Sequence, residues 1–322
     1  MMKWNIAQVL DGRFACPHCH ASQGWAPAAR VLVRQYSSIH RMRCERCGER
    51  IVVKVVGGRY SSGYAREHAR KEYEALCKLQ SAFPQDKGYG TLVPLGHLEY
   101  AEQGIVITRH APGEDLVRYV RTLDASGVQA ACRSAGIWLK KLHESDVQNQ
   151  KRPLGAADKI SFLADKYGAV LRGDPRTDAA YELFIQEGTR VDAMPVPAVR
   201  QHGDFKPDNM LCDGTKYVGL DIRWRSVGAA AYDLAPFLNH LWSDGRMVIG
   251  SRTRLLHDRA ESAFLSGYGD VGDMCALRWV QLYFALCYMG EYRQRGRLAA
   301  SYANWKIWPL VRRLALQVRE FA

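Results

Sequence analysis

Two Cys-x-x-Cys pairs, Cys16-Pro17-His18-Cys19 and Cys44-Glu45-Arg46-Cys47, lie 24 residues apart near the start of the chain and restrict how its first fifty residues can fold. Each pair spans one tight turn and presents two sulfurs together, so two pairs suit a tetrahedral metal site. The gap is longer than the roughly 15–20 residues usual for the pattern, but a β-hairpin of that length closes it. Pro17 after the first Cys and Gly48 after the last suit knuckle turns. The expectation is a zinc-ribbon-like segment over residues 13–50. Cys16, Cys19, Cys44 and Cys47 would hold a structural Zn2+, with His18 and His20 in reserve. Four unrelated core cysteines are the alternative, yet these sit beside Arg, Glu and His instead of in apolar runs. Cys77, Cys132, Cys212, Cys275 and Cys287 lie in apolar or helical surroundings and read as packing residues.

The rest of the composition narrows the class. With 322 residues, 47% of them hydrophobic and 24% charged, the chain can bury a core, which excludes a disordered polyelectrolyte and a disulfide-dependent miniprotein. The first residues lack the apolar core of a secretory signal, no apolar run reaches membrane-spanning length, and the nine cysteines are odd in number, so a cytoplasmic location is expected. The net charge of +12 sits at the ends. Residues 1–54 carry nine Lys or Arg against three Asp or Glu, residues 292–322 carry seven against one, and the middle balances. Such ends suit nucleic acid, a peripheral contact with an anionic membrane, or a phosphorylated substrate.

Periodicity divides the chain. Strand character appears around Arg30 to Gln35 and Ile39 to Arg43. It is strongest in Arg50-Ile51-Val52-Val53-Lys54-Val55-Val56, a β-branched run ended by Gly57-Gly58. From Ser62 the spacing of Ala65, Ala69, Tyr73, Leu76 and Leu79 predicts a helix stopped by Pro84. Leu92 to Leu98 and Gly104 to Arg109 read as strands around a Glu102-Gln103-Gly104 turn, and Ala111-Pro112-Gly113 breaks the pattern. Helical spacing then dominates over Val128 to His143, Ile160 to Leu171, Thr177 to Glu187, Ala231 to Leu241 and from Arg252 onward, interrupted by strand and turn residues over Arg200 to Asp221. The organisation expected is a β-rich lobe over 1–110, with a strand and helix at 50–83 and further strands at 91–110, and a helical lobe over 111–322.

The interruption carries the chemistry. His202-Gly203-Asp204-Phe205-Lys206-Pro207-Asp208-Asn209 forms a loop, and Asp221 ends the apolar run Tyr217-Val218-Gly219-Leu220. Asp204 and Asn209 are five apart, and Asp221 is twelve further on. Phosphoryl transfer needs a carboxylate to orient an attacking hydroxyl, which suits Asp204, and hard oxygen ligands for Mg2+, which suits Asn209 and Asp221. The order resembles the catalytic loop and later metal-binding Asp of kinase-like phosphotransferases. His-Gly-Asp in place of His-Arg-Asp is similar to the aminoglycoside phosphotransferase and choline kinase branch.

The resemblance covers roughly residues 50–270 and implies an α+β, two-lobed protein-kinase-like fold. The small β-rich N-lobe would include the zinc-ribbon hairpin, the larger C-lobe would be mainly helical, and the catalytic loop would span 202–221. Lys54 looks like the lysine that contacts nucleotide phosphates, and Glu72 in the following helix looks like its ion-pair partner, although Glu67 and Glu74 compete. Taken alone, without the loop downstream, Lys54 reads more readily as an edge-strand lysine reaching solvent. Ile105 to Leu116 resembles the inter-lobe hinge, whose backbone would bind adenine. Ala135 to His143 and Ala231-Tyr232-Asp233-Leu234-Ala235 resemble two further family segments. His143 reads as a packed helix-end histidine, and His202 and Asp233 as braces of the loop. Lys206 departs from the His frequent in this branch; it is either an electrostatic clamp on the migrating phosphoryl group or a solvent-facing lysine. No Gly-x-Gly-x-x-Gly precedes Lys54. The zinc hairpin would then stand in for the first two kinase strands, with a tip near Ala26 to Ala29 or Tyr36 to Ile39 covering the nucleotide.

The function implied is ATP- and Mg2+-dependent transfer of the γ-phosphate to a hydroxyl of a small molecule, sugar or lipid-linked glycan. Asp204 and Lys206 would be catalytic. Lys54, Glu72, Asn209 and Asp221 would bind the nucleotide and its metal. Lys206 also keeps a protein kinase open, but Asp221-Ile222-Arg223 lacks the Asp-Phe-Gly switch. A zinc-ribbon nucleic-acid binder on a kinase-like scaffold is the reading from another class, favoured by Trp4, Trp25, Tyr36, Trp305 and Trp308 near the basic ends. Intact Asp204, Asn209 and Asp221 weigh against it. Arg293-Gln294-Arg295-Gly296-Arg297 reads as a solvated helix end or as a face toward an anionic acceptor.

Overall fold

The computed structural model describes residues 5–29, 31–34, 36–57, 62–83, 88–146, 151–223, 227–243 and 253–320. Trp4, Arg30, Gln35, Gly58, Pro84 and Arg252, used in the sequence reading, lie outside the described residues. In chain order the elements begin with α1 (Ile6–Leu10), β1 (Trp25–Pro27), β2 (Leu32–Val33), β3 (Ser37–Cys44), β4 (Arg50–Val56), α2 (Ser62–Ala82), β5 (Tyr89–Thr91), β6 (Pro94–Tyr100) and β7 (Gln103–Arg109). They continue with β8 (Glu114–Asp115), α3 (Leu116–Val120), α4 (Ala125–Glu144), β9 (Lys151–Arg152), α5 (Ala156–Arg172), α6 (Pro175–Asp192) and β10 (Val196–Arg200). A 3-10 turn at Pro207–Asn209 leads into β11 (Met210–Cys212), β12 (Tyr217–Gly219) and β13 (Val227–Ala229). Helices α7 (Ala231–Ser243), α8 (Thr253–Tyr268), α9 (Met274–Gln294), α10 (Arg297–Lys306) and α11 (Trp308–Glu320) follow.

Two units result: Met1–Gly113 with Leu211–Trp224, and Glu114–Met210 with Arg225–Ala322. The first is β-rich and the second mainly helical, the α+β composition expected. The sequence boundary was drawn at 110/111 with the whole 202–221 loop in the second part, whereas here the chain returns to the first unit from Leu211.

The first unit is built on an antiparallel sheet in the order β1-β3-β4-β7-β6, with β2 beside β3. Strand β4 sits at its centre because its alternation serves two surfaces. Ile51, Val53 and Val55 join Met42, Cys44, Trp25, Ile105, Ile107 and α1 in one core. Val56 and Val106 face Ala65, Ala69 and Leu76 of α2 in another. Strand β5 pairs in parallel with β12, which anchors the returning segment. At Gly113 the backbone adopts φ +105° and a Cβ would stand 2.5 Å from the Cys212 carbonyl oxygen, so only glycine fits this crossing.

In the second unit four helices start on Asp caps: Asp115, Asp124, Asp174 and Asp273 accept from Arg118, Gly127, Arg176 and Ala276 amides. Helices α4 and α8 approach closely. A Cβ on Gly136 would lie 2.1 Å from the Phe264 oxygen, and one on Gly267 would lie 2.1 Å from the Arg133 oxygen.

Three local expectations change. The hairpin turn between β6 and β7 sits at Ala101-Glu102, since Tyr100 pairs with Gln103, and Ala101 takes φ +51°. Cys77 is exposed on α2 and is not a core residue. Arg293 neither faces solvent nor stands ready for an acceptor. Its guanidinium is nearly buried and donates to the Val170 carbonyl, Thr177 Oγ1, Asp174 Oδ2 and Asn304 Oδ1, tying α9 to the α5–α6 junction and to α10. Arg176 and Arg293 together hold the Asp174 carboxyl well below the usual carboxylate range. Arg295 pairs with Glu291 and stays exposed.

Candidate active site and metal centre

Lys54 lies mid-strand in β4 with Val52 and Val56 for same-strand neighbours, an environment that would expel a lone ammonium. Its Nζ instead donates to both oxygens of Glu72 at 2.8 Å and to Asp221 Oδ1 at 2.6 Å. Burial works against its charge, but the Glu72 and Asp221 carboxylates outweigh that and raise it above the usual lysine range. Glu72 belongs to this pair for a readable reason. Ala65, Ala69, Glu72, Leu76 and Leu79 follow each other at 4-3-4-3 spacing, so Glu72 interrupts the apolar stripe that α2 presents to the sheet. Glu67 and Glu74 are on the exposed side, where both bind Arg70. Burial, with Asp221 adding to it, pushes the Glu72 carboxyl up against the pull of Lys54. Two carboxylates share one ammonium here, and the Arg223 charge also acts on Glu72.

Asp221 follows β12 with φ +52°, a left-handed conformation that Asp tolerates better than most residues. Strain of this kind is held only where the surroundings over-determine it, here by the Lys54 bond.

In the second unit, Phe205 anchors the loop between Asp204 and Lys206. Its ring is fully buried and stacks on Trp138 at 5.6 Å and on Phe237 at 5.3 Å. The residues on either side are thereby turned the other way. Asp204 Oδ2 receives Lys206 Nζ at 3.3 Å and Asn209 Nδ2 at 3.2 Å; Asn209 Nδ2 also reaches the Asp204 carbonyl at 2.8 Å. With its amide nitrogen committed to Asp204, Asn209 would have only Oδ1 to offer a metal ion. Lys206 is thus a partner of Asp204 and not a detached surface lysine.

Behind the loop, buried Asp233 at the start of α7 organises the backbone. Its Oδ2 accepts from the His202 amide at 2.6 Å and from His143 Nε2 at 3.0 Å, and Oδ1 accepts from the Gly203 amide at 2.9 Å. Burial opposes this charge, but His143, His202 and the Gly203 amide hold the carboxyl below its usual range. His143 Nδ1 meets the Tyr268 hydroxyl at 2.9 Å, and His202 Nδ1 accepts from the Asp204 amide at 3.3 Å. His143 is therefore part of the bracing chain as well as a packed residue. The sequence reading gave Phe205 no role and did not include Tyr268; an apolar residue between two charged loop residues was the available signal for Phe205.

The four knuckle cysteines form the one group of three or more His, Cys, Asp or Glu able to share a metal among the described residues. All four Sγ atoms lie within 4.8 Å of one another, Cys16 to Cys47 at 3.5 Å and Cys19 to Cys44 at 3.6 Å. A tetrahedron with Zn–S bonds of ~2.3 Å requires sulfurs about 3.8 Å apart, so the donor set fits the ion. The Ala21 amide helps lower Cys19 to about 7; at Cys47 the Glu49 amide favours the thiolate, but desolvation and the other sulfurs push it up to about 12. His18 and His20 are outside the cluster.

Asp204, Lys206 and Asn209 thus form one group in the second unit, and Lys54, Glu72 and Asp221 another in the first. Comparison with known proteins gives this arrangement its context. Residues 41–268 match the phosphotransferase enzyme family. No curated protein matches the chain. Among solved structures, a thermostable mutant of aminoglycoside phosphotransferase APH(4)-Ia in complex with ADP and hygromycin B is 13% identical, with a TM-score of 0.61 over 89% of this chain and 94% of that one. Amicoumacin kinase hAmiN in complex with AMP-PNP, Ca2+ and Ami is 12% identical, with a TM-score of 0.57 over 91% and 88%. A choline/ethanolamine kinase family protein from Mesorhizobium loti is 15% identical, with a TM-score of 0.54 over 90% and 88%. These likenesses carry the fold. No described helix is long and apolar enough to cross a membrane.

Proposed function

The chain belongs to the phosphotransferase enzyme family, whose members are ATP-dependent kinases of small-molecule hydroxyls, and we propose that its acceptor is a sugar or lipid-linked glycan phosphorylated with Mg2+ as cofactor. In this reading Asp204 orients the acceptor hydroxyl and takes its proton, while Lys206 neutralises charge near the migrating phosphoryl group. Lys54, held by Glu72, engages the nucleotide phosphates; Asn209 and Asp221 supply oxygen ligands. Mg2+, when bound, supplies positive charge to phosphate oxygens. Zn2+ on Cys16, Cys19, Cys44 and Cys47 is structural, and it stabilises the sheet that carries Lys54.

The observation that supports this reading best is the set of contacts at Asp204. Lys206 and Asn209 meet on one carboxylate oxygen and fix the rotation of the side chain, while Phe205 fixes its backbone. The acceptor class follows from charge. Aminoglycosides are polycations and call for acidic surroundings, whereas this chain carries +12. A lipid-linked acceptor would bring those basic ends to the cytoplasmic face of an anionic membrane.

The experiment is ATP consumption against sugars, glycolipids, amino alcohols and aminoglycosides, with the Asp204→Asn variant alongside. Transfer to a sugar or glycolipid is expected, and the variant should lose about 10²–10⁴ in kcat with nucleotide affinity kept. Turnover on aminoglycosides alone would overturn the acceptor assignment, and an active variant would overturn the role of Asp204.

A further inference from the structure

Helix α10 is seated on the second unit by one side only. Ala303 and, just past the helix end, Ile307 are buried, and Asn304 Oδ1 accepts from Arg293. On the opposite side Leu298, Tyr302 and Trp305 recur at i, i+4 and i+7, the spacing of a single stripe along a helix. They are 90%, 41% and 70% exposed, and Leu298 and Trp305 are the two most exposed large apolar residues among those described. Cations flank the stripe. Arg295 and Arg297 precede it and Lys306 follows it, and from Tyr292 to Arg319 the chain has seven Lys or Arg and no Asp or Glu. Arg297 opens α10 with no acidic residue in the first turn, although the positive end of a helix disfavours a cation. Among the described residues, only Arg295 of these three pairs with a carboxylate, that of Glu291. The rings and cations are stacked together: Lys306 Nζ lies 5.0 Å from the Trp305 ring centre, and the Arg295 guanidinium lies 5.3 Å from that of Tyr292. Tyr302 sits between the two rings, 5.3 Å from Tyr292 and 6.3 Å from Trp305.

We propose that this face of α10 rests on an anionic lipid bilayer, with Leu298 and Trp305 entering the boundary between headgroups and acyl chains and Arg295, Arg297 and Lys306 at the lipid phosphates. For its purpose the contact rests on the reading of a lipid-linked acceptor; the contact itself needs no catalysis. Charge selects this occupant, since a run of cations without carboxylates complements anionic headgroups, whereas a second copy meeting the same face across a two-fold axis would set cation against cation. Size agrees. Ten helical residues give a face about 15 Å long and about 10 Å wide, roughly 150 Å², far below the ~800 Å² per partner of a stable protein interface. Shallow insertion into a bilayer needs no such area. The side chains point the same way. Leu298, the most exposed, is aliphatic: it suits acyl chains and offers no ring face to a nucleic-acid base. Trp and Tyr, apolar with one polar tip, are the side chains that settle between hydrocarbon and water.

The test is co-sedimentation of the full-length, zinc-loaded protein with vesicles of phosphatidylcholine alone and of phosphatidylcholine mixed with phosphatidylglycerol, at low and at raised NaCl. The comparison is with Leu298→Ser/Trp305→Ser, with Arg297→Gln/Lys306→Gln and with Asp204→Asn. The α10 changes fall outside the core, so both variants should melt with the parent, which serves as the folding control. Binding should favour the anionic vesicles and fall as salt rises. It should weaken by about tenfold or more in each α10 variant and stay unchanged in Asp204→Asn. Vesicle binding kept by a protein that turns over no glycolipid would overturn the acceptor assignment and support the role of this face. The inference is overturned by no binding of the parent to anionic vesicles, by equal binding to neutral ones, or by α10 variants that bind as the parent does. A dimer in light scattering that Leu298→Ser/Trp305→Ser dissolves would overturn it too, as would an RNA oligomer that binds the parent more tightly than the vesicles do and is lost in that variant.

Discussion

Asp233 offers a sharp test of how the loop around Asp204 is held. The perturbation is Asp233→Asn, equal in size and different only in charge and in one donor for one acceptor. Both carboxylate oxygens are in use: Oδ2 takes the His202 amide and His143 Nε2, and Oδ1 takes the Gly203 amide. Whichever way the new amide turns, its NH2 faces at least one N–H, which loses its acceptor in a fully buried place. An unsatisfied buried donor costs about 1–3 kcal/mol, and replacing a buried carboxylate that accepts three hydrogen bonds adds to that. The retained oxygen offsets part of this, so a loss of ~3 kcal/mol is expected. For a unit of the second one's size each kcal/mol moves the melting point by roughly 2–4 °C, giving a fall of about 6–12 °C by calorimetry. Because the Asp233 carboxyl titrates below its unfolded value of about 3.9, its contribution is present above that pH and lost as pH falls through the folded value. The parent should lose stability below about pH 4, and the variant should lose less there. In steady-state assays kcat should fall by more than the KM for ATP rises, since Lys54, Glu72 and Asp221 are in the other unit and only Asn209 shares the braced loop. A melting point within 1 °C or so of the parent together with unchanged kcat would refute the bracing argument.

Chelating the metal from purified protein should lower the melting temperature and weaken ATP binding together, read by calorimetry and nucleotide titration, because Cys16 and Cys44 share a core with β4. Lys54→Met should raise the KM for ATP strongly and leave the zinc content, measured by metal analysis, unchanged. Gly136→Ala forces a methyl to within 2.1 Å of the Phe264 oxygen, so a loss of about 1–3 kcal/mol is expected in urea unfolding, with the zinc content again unaffected.

Much of this was legible because it is local. The run from Ile51 to Val56 announces a strand by its β-branched content, and the spacing from Ala65 to Leu79 announces a helix. The Cys-x-x-Cys pairs announce their own turns. The α+β class and the family follow from those segments and from the His202 to Asn209 loop. What stayed hidden is set by pairing across the sequence. Glu72 separates from Glu67 and Glu74 only when it is recognised as the polar residue within the apolar stripe of α2. The opposition of Arg43 and Arg50 depends on the register of β3 against β4, which no spacing within either strand reveals. Arg293 looked like part of a solvated cluster because its acceptors, Val170, Asp174 and Thr177, are more than a hundred residues away. The short α1 carries too few residues for its period to show.

Strand β4 is a wall shared by two surfaces. One side carries Ile51, Val53 and Val55 into the core that contains Cys16 and Cys44, and the other carries Lys54. All seven of its residues are matched along β3, from Ser37 to Arg43. A backbone that alternates its side chains cannot be loose on one face and firm on the other. The cysteine hairpin is therefore not a removable module grafted onto a kinase. Exchanging it for the front strands of another family member would have to restore the same seven-residue register, so the two halves of this sheet are bound to diverge together or not at all.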